Sequence, residues 1–232
     1  MQFDVITLFP SMFESPFAES MIKRAIGKGL IKLNLHDLRQ WAVDEYGAVD
    51  DRPFGGSVGM LLRPEPVYEA LQAIHGEVDL SPQKKRVVNS KKRIVLMTAG
   101  GTVFDQAKAE ELSNLEQITI ISGHYEGYDQ RIHDYMVDEE LSIGKYVLTG
   151  GELPAMVVID AVSRLLPGVL GKDASSKTES YSEVEIEGQK KRLIEEPQYT
   201  RPRDFKGLVV PEVLYSGDPK KIEAWKVINR KS

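Results

Sequence analysis

The 232-residue sequence contains no cysteine. Without thiols, a disulfide framework, a cysteine nucleophile, a zinc–thiolate site and an iron–sulfur cluster are all excluded. Only four histidines occur, and His124 and His133 have no acidic residue at the spacing typical of metal ligands, so we expect no metal site there. The glycine motifs of phosphate loops, dinucleotide-binding folds and serine hydrolases are also missing from the sequence.

Long apolar runs are missing as well. No segment approaches the roughly 20 consecutive apolar residues that a membrane-spanning helix needs. The first residues, Met1 to Asp4, carry an acid and lack the basic and apolar regions of a secretory signal. These features predict a cytoplasmic protein with no membrane partner.

Positive charge is not in excess, because 30 lysines and arginines stand against 35 aspartates and glutamates, which gives a net charge of −5. A uniform attraction to nucleic acid is therefore not expected. Residues 84–93 nevertheless hold six cations and no acid. This segment is interpreted either as a solvated loop or as a local patch for phosphate contacts.

Short β-rich runs alternate with helix-like segments between residues 3 and 166, and this alternation predicts an α/β fold with a mainly parallel sheet. Several of these runs are followed by glycine-bearing loops, which is where open α/β sheets bind ligands. We expect strands at 3–9, 31–36, 93–97, 118–121 and 146–148, a turn at Gly100 and Gly101, and helices up to residue 26, at 65–74, up to residue 115 and at 154–166.

Residues 168–178 are small and polar, which is typical of a flexible linker. We therefore expect a first domain over residues 1–168, a linker over 169–182 and a small, mostly helical domain over 183–232. The clearest helix of that second domain has Asp218 as its N-cap and Pro219 in its first turn, and it runs toward Asn229.

Four charged residues lie near the glycine loops and the linker: Glu126, Glu152, Arg164 and Glu179. Acids on loops are commonly just solvated, so these residues alone indicate only an α/β enzyme of undetermined substrate.

Four motifs in fixed order make the sequence recognisable. The chain closely resembles the bacterial tRNA (guanine-N1)-methyltransferases, which belong to the SPOUT superfamily of trefoil-knotted methyltransferases. The resemblance extends from the first strand to the last helix. Its motifs are DDRPFGG at residues 50–56 with Gly59 and Met60, GHYEGYDQR at 123–131, SIGKYVLTGGELPAM at 142–156, and YTRP at 199–202.

The resemblance implies a knotted parallel-sheet domain that binds S-adenosylmethionine in a bent form. It also implies an obligate homodimer with shared active sites, tRNA as the partner, and Mg²⁺ in turnover without an assigned metal ligand. The reaction would methylate N1 of the guanine immediately 3′ of the anticodon. The implied cofactor-binding residues are Ala99, Gly101, Gly123, Tyr125, Glu126, Gly127, Ile143, Gly144, Lys145, Tyr146, Val147, Leu148, Gly150 and Gly151.

The resemblance also assigns roles at the reacting base. Arg164 would steady the charge on guanine O6, Glu179 would accept the N1 proton, and Glu126 would complete the catalytic set. The family generally has aspartate where this chain has Glu179, and residues 183–192 resemble an insertion after it. The implied substrate-binding residues are Asp50, Gly55, Gly59, Ser180 and Arg201.

Three other functions stay open on the sequence. The chain could be a SPOUT enzyme that methylates a ribose 2′-hydroxyl or another base. It could be a non-catalytic RNA-binding relative, for which the glutamate at position 179 argues. A metabolic α/β enzyme is disfavoured because the glycine loops lack a phosphate or nicotinamide motif.

Overall fold

The computed structural model describes residues 1–82, 89, 91–170, 179–186 and 188–231. Its contacts divide the chain into two compact units, Met1–Gly171 and Lys172–Ser232. This boundary falls close to residue 168, where the first domain was expected to end. Residues 171–178 of the expected linker and 84–88 and 90 of the basic segment lie outside the described residues, so both interpretations stay predictions.

The first unit is built on a five-stranded sheet with the strand order β2-β1-β6-β5-β7, in which every pair of neighbours is parallel. The predicted α/β fold with a parallel sheet is confirmed. The central strands read as nearly continuous apolar runs because both faces of the sheet are covered. The strands are β1 (Gln2–Thr7), β2 (Lys32–Asp37), β5 (Lys92–Val103), β6 (Gln117–Ser122) and β7 (Glu139–Ser142), and a separate two-stranded pair joins β3 (Asp50–Asp51) to β4 (Leu61–Leu62).

Helices cover the sheet on both faces. On one face, helix residues pack with strand residues such as Val5 in one buried cluster, which includes Phe17, Ile22, Leu112 and Val158. On the other face, a second cluster joins Ile6 and Ile121 of the strands to Val67, Leu71 and Ile132 of the helices. The alternation of side chains along β1 thus separates two cores. The helices are α1 (Glu14–Phe17), α2 (Ser20–Gly27), α3 (Pro64–His75), α4 (Gln106–Ser113), α5 (Gln130–Tyr135) and α6 (Glu152–Ser163).

Three local expectations are corrected. Residues 146–148 form no strand: Val147 is 86% exposed, and the strand of this region is β7, which lies upstream. Gly100 and Gly101 lie inside β5 at an irregularity rather than in a turn after it. The helix expected up to residue 26 is two helices: α1 ends at Phe17, and Ser20, the first residue of α2, has a φ of 54° that interrupts the helical backbone.

Gly101 lies at the register shift between β5 and β7, where Leu141 pairs with both Met97 and Thr102. A Cβ on Gly101 would lie 2.7 Å from backbone atoms of Glu140 and Leu141. Backbone atoms cannot turn aside as the end of a side chain can. Glycine is therefore required for the close approach of these two strands.

We expect Gly101→Ala to lower the free energy of unfolding by about 3 kcal/mol, the scale of overpacking in a dense core, which lowers Tm by roughly 6–12 °C. Gly100→Ala is the matched control, because a Cβ on Gly100 would meet nothing within 4 Å. Thermal unfolding followed by circular dichroism measures both variants. Equal Tm values for the two would contradict the backbone clash.

The second unit differs from the mostly helical domain that was expected. Its described part contains the hairpins β8 (Glu183–Ile186) with β9 (Gln189–Arg192) and β10 (Asp204–Phe205) with β11 (Leu208–Val209), besides one α-helix, α7 (Pro219–Asn229). Gly188 and Gly207 have positive φ values of 74° and 87°, which suits tight hairpin turns. The helix itself is confirmed, because Asp218 Oδ1 accepts hydrogen bonds from the amides of Lys220 and Lys221.

No helix within the described ranges combines the length and apolar character needed to cross a membrane. The knot that the resemblance implies stays a prediction.

Candidate functional site

A cavity of about 280 Å³ opens beside the interior of β5 and the ends of β6 and β7. Three segments form most of its wall: residues 98–99 within β5, 123–128 after β6, and 141–144 with 146–150 at the end of β7 and beyond it. His133 and Pro154 complete the wall. The predicted cofactor residues that line it are Ala99, Gly123, Tyr125, Glu126, Gly127, Ile143, Gly144, Tyr146, Val147, Leu148 and Gly150. Gly101, Lys145 and Gly151 are the predicted residues that do not line the cavity.

Neighbouring side chains pack closely against three cavity glycines, Gly123, Gly144 and Gly150. A Cβ on Gly123 would overlap the ring of Tyr128, and one on Gly150 would overlap the side chains of His124 and Glu152. Gly151, just outside the cavity, donates its amide to the carbonyl of Gly123 at 2.8 Å. The loops after β6 and β7 are thus joined directly by a backbone hydrogen bond.

The carboxylate of Glu152 joins three elements beneath the cavity. Glu152 is 1% exposed and lies in the first turn of α6, where the helix dipole favours a negative charge. Its Oε1 accepts a hydrogen bond of 2.7 Å from Thr7 Oγ1 at the end of β1. His124 Nε2, which belongs to a cavity residue, lies 3.0 Å from Oε2. The sequence indicated Glu152 but missed its partners, because they are 145 and 28 residues away along the chain.

Tyr128 is a further cavity residue that the sequence missed. Its hydroxyl donates a hydrogen bond of 3.0 Å to the carbonyl of Met97 in β5. Burial raises the pKa of this hydroxyl far above its usual value, so the group stays a neutral hydrogen-bond donor. This bond attaches the loop after β6 to the strand beside it.

The glycine-rich segment of residues 50–62 lies along the cavity loop. The amide of Glu126 donates to the carbonyl of Met60 at 3.0 Å, and Gly59 lies so close to Glu126 that a Cβ would be 2.9 Å from Glu126 Oε1. Asp50 reaches Tyr125: burial of the tyrosine, together with the charge of Asp50 and its hydrogen bond, raises the pKa of the hydroxyl. Two predicted substrate residues thus lie beside predicted cofactor residues.

Gly55 is not part of this contact. It lies at the exposed tip of the same segment with a φ of 89°, and a Cβ on it would meet no atom within 4 Å. Phe54 beside it is 98% exposed. The tip therefore offers a glycine turn and an aromatic ring to solvent.

Arg164 does not reach the cavity of its own chain. It caps the C-terminal end of α6, whereas Pro154, which lines the cavity, lies near the other end. Ten residues of α-helix span about 15 Å, so the backbone of Arg164 and the cavity are at opposite ends of the helix.

The other residues that were predicted to act on the guanine or to bind the tRNA around it lie in the second unit. Glu179 and Ser180 begin its described part, and the amide of Ser182 donates to the carbonyl of Glu179 at 3.0 Å. Arg201 is exposed in the same unit. Among the residues that the structure describes, no three His, Asp or Glu side chains converge as metal ligands, and a Mg²⁺ requirement stays a prediction.

Comparison with known proteins gives a consistent result. The family described as tRNA (Guanine-1)-methyltransferase TrmD matches residues 1–232. Proteins named tRNA (guanine-N(1)-)-methyltransferase are similar over nearly the whole chain. One from Dehalococcoides mccartyi is 48% identical over 97% of this chain and 84% of the relative. One from Limosilactobacillus reuteri is 47% identical over 98% of this chain and 84% of the relative. One from Citrifermentans bemidjiense is 45% identical over 97% of this chain and 83% of the relative.

Proposed function

Since the chain belongs to the tRNA (guanine-1)-methyltransferase family and is a methyltransferase of tRNA, we propose that S-adenosylmethionine is its methyl donor and that N1 of the guanine 3′ of the anticodon is its target. The observation that carries this proposal is the cavity, because loops far apart in sequence converge there with the glycines of the predicted cofactor motifs on its wall. A cytoplasmic location follows from the same proposal, since tRNA is the substrate.

The cavity residues fit this methyl donor. Gly127 and Gly144 line the cavity without a side chain, which suits a close approach of their backbone to an adenine and a ribose. Ile143 and Leu148 supply apolar surface, and Glu126 supplies a negative charge next to a ligand that carries a sulfonium cation. When bound, S-adenosylmethionine supplies the methyl group.

The remaining residues would handle the guanine. N1 carries a proton, so its attack on a methyl group needs a base, and we assign that role to the carboxylate of Glu179. Charge that develops on O6 needs a cation, which Arg164 provides. Asp50 and Gly59 lie beside the cavity loop and would hold the donor edge of the extruded base, whereas Gly55, Ser180 and Arg201 would contact the tRNA around it.

The position of Arg164 supports a homodimer with shared sites. The backbone of Arg164 lies about 15 Å along α6 from that of the cavity residue Pro154, so Arg164 would act at the cavity of a partner subunit. Leu153 and Val157 are about half exposed on α6 and, with Arg164, recur at the spacing of one helix face. An apolar face of this kind beside a site is typical of an interface between subunits.

The proposal is tested by methyl transfer from labelled S-adenosylmethionine to two tRNA transcripts, with G or A at the position 3′ of the anticodon. We expect transfer to the G transcript alone, and a loss of 100-fold or more, on the scale of general base catalysis (~10²–10⁴), in Glu179→Gln. Glu183→Gln is the matched control, since this glutamate pairs only with Lys190 among the ion pairs described.

Each other outcome points to a different function. Cofactor binding without transfer to either transcript would overturn the enzyme assignment in favour of a non-catalytic RNA-binding protein. Transfer to both transcripts, with the label on ribose or on another base, would identify a different SPOUT activity. Unchanged transfer by Glu179→Gln would move the base to another residue.

A further inference from the structure

The turn that carries Glu179 is hydrogen-bonded to residues at the end of β9 and directly after it, where the β8–β9 hairpin closes. The amide of Tyr181 donates to the carbonyl of Leu193 at 2.7 Å, and Arg192 Nη1 donates to the carbonyl of Tyr181 at 2.8 Å. The amide of Glu195 donates to Ser180 Oγ at 3.1 Å. Both main-chain groups of Tyr181 are therefore held by residues that follow the hairpin's second strand or end it.

The hairpin gives these contacts a rigid base. Its strands pair from Glu183 with Arg192 to Ile186 with Gln189, and β8 begins directly after the turn of residues 179–182. The ladder thus places Arg192 beside the start of β8, where its guanidinium can reach back to Tyr181.

The restraint matters because a catalytic base must be held in place. Displacing a reacting group by about 1 Å can cost about 100-fold in rate. Glutamate has one more rotatable bond than aspartate, so more side-chain freedom must be lost when it is fixed. A backbone that is held directly after the carboxylate-bearing residue, at Ser180 and Tyr181, reduces that freedom before the substrate binds.

We propose that the β8–β9 hairpin is a positioning device that pre-orders the Glu179 turn, with Arg192 as its main positioning residue. The proposal rests on the proposed function, because it takes Glu179 as the base. Arg192 acts through the Tyr181 carbonyl and not by contact with the reacting atoms. The effect therefore belongs to kcat and not to cofactor affinity.

The test compares Arg192→Ala with Lys190→Ala, which removes the same charge from the same strand but leaves the Tyr181 contact intact. Lys190 is mostly exposed, and it pairs with Glu183. We expect Arg192→Ala to lower kcat for methyl transfer by roughly 10- to 100-fold, with KM for tRNA and the Kd of S-adenosylmethionine unchanged. Hydrogen exchange of the Tyr181 amide should become faster in the same variant, whereas Lys190→Ala should match wild type in both measurements.

Two results would overturn the proposal. If Tyr181 exchanges faster but kcat is unchanged, the order of the turn does not serve catalysis. If instead KM for tRNA rises with a changed salt dependence while kcat and exchange stay at wild-type values, Arg192 contacts RNA phosphates. Arg192→Lys keeps the charge and one donor, so partial recovery of kcat and of slow exchange is expected, and its absence would count against the Tyr181 contact.

Failure of the proposed function gives a different pattern. Wild-type protein would then transfer no methyl group to tRNA at all. The positioning proposal fails on its own when wild type methylates tRNA and Arg192→Ala methylates it equally fast. The Kd of S-adenosylmethionine depends on the first unit, so an unchanged Kd in Arg192→Ala shows that this unit remains folded in the variant.

Discussion

Arg164→Ala is expected to lower kcat for methyl transfer to tRNA by roughly 100- to 1000-fold, the usual cost of losing one donor that stabilises a developing oxyanion. Negative charge develops on O6 only as the methyl group is transferred, so Arg164 would stabilise the transition state and its loss would lower kcat. The Kd of S-adenosylmethionine should remain near its wild-type value, because Arg164 is not among the cavity residues.

Single-turnover methyl transfer and calorimetric cofactor binding measure the two quantities separately. Asp160→Asn is a suitable control, because Asp160 is exposed on α6 one turn before Arg164. An equal loss of rate in both variants would point to general damage at this end of the helix. Weakened cofactor binding in Arg164→Ala would contradict a role confined to the transition state.

The same substitution tests whether the active site is shared between subunits. Ala99 is exposed at the cavity, so Ala99→Trp is expected to block cofactor binding without disturbing the core. Co-expression of Arg164→Ala with Ala99→Trp would produce heterodimers with one intact cavity, served by the intact Arg164 of the other chain. We expect recovery to about a quarter of wild-type activity, because about half of randomly paired dimers are mixed and each has one working site. No recovery would mean that arginine and cavity act within one chain.

Asp4→Ala is expected to lower the free energy of unfolding by about 3 to 5 kcal/mol, the cost of leaving a buried polar cluster without its charged acceptor. Asp4 is 2% exposed on β1. Its Oδ2 accepts hydrogen bonds from Gln2 (2.7 Å) and Gln117 (2.8 Å), and its Oδ1 contacts Asn34 (2.8 Å) and His36 (2.9 Å).

Urea unfolding at pH 7 measures this loss, with Glu69→Gln on the exposed side of α3 as the control. The control should stay within about 0.5 kcal/mol of wild type, as surface substitutions usually do. A loss below about 1 kcal/mol in Asp4→Ala would mean that water replaces the carboxylate at no great cost.

Asp4 also predicts how stability depends on pH. Burial by itself raises the pKa of Asp4, but the hydrogen bonds from His36, Gln2, Asn34 and Gln117 outweigh it and hold the pKa well below its usual range. The stabilisation is fully present above the unfolded pKa of about 3.9 and is lost as the pH falls below it. Between about pH 5 and pH 3 the wild-type free energy of unfolding should therefore fall more steeply than that of Asp4→Ala. Parallel curves would contradict the low pKa.

The sequence by itself determined the elements that depend on neighbouring residues. Asp218 and Pro219 start α7 as predicted, and the apolar run at β6 is a buried parallel strand. The family motifs also indicated the cavity loops, because glycines recur there with characteristic neighbours. Caps, periodicity and motifs all act within a few residues, so one sequence is enough to read them.

Tertiary structure decided what depends on residues far apart in the chain. The run at 146–148 is apolar but lies exposed at the cavity, whereas the glutamate-bearing segment 139–142 forms the edge strand. The buried carboxylate of Glu152 finds its partners in Thr7, at the end of β1, and His124, in the loop after β6. Arg164 is separated from the cavity of its own chain by the length of α6. These arrangements follow from the sheet order β2-β1-β6-β5-β7, and long-range pairing of this kind leaves no local pattern in the sequence.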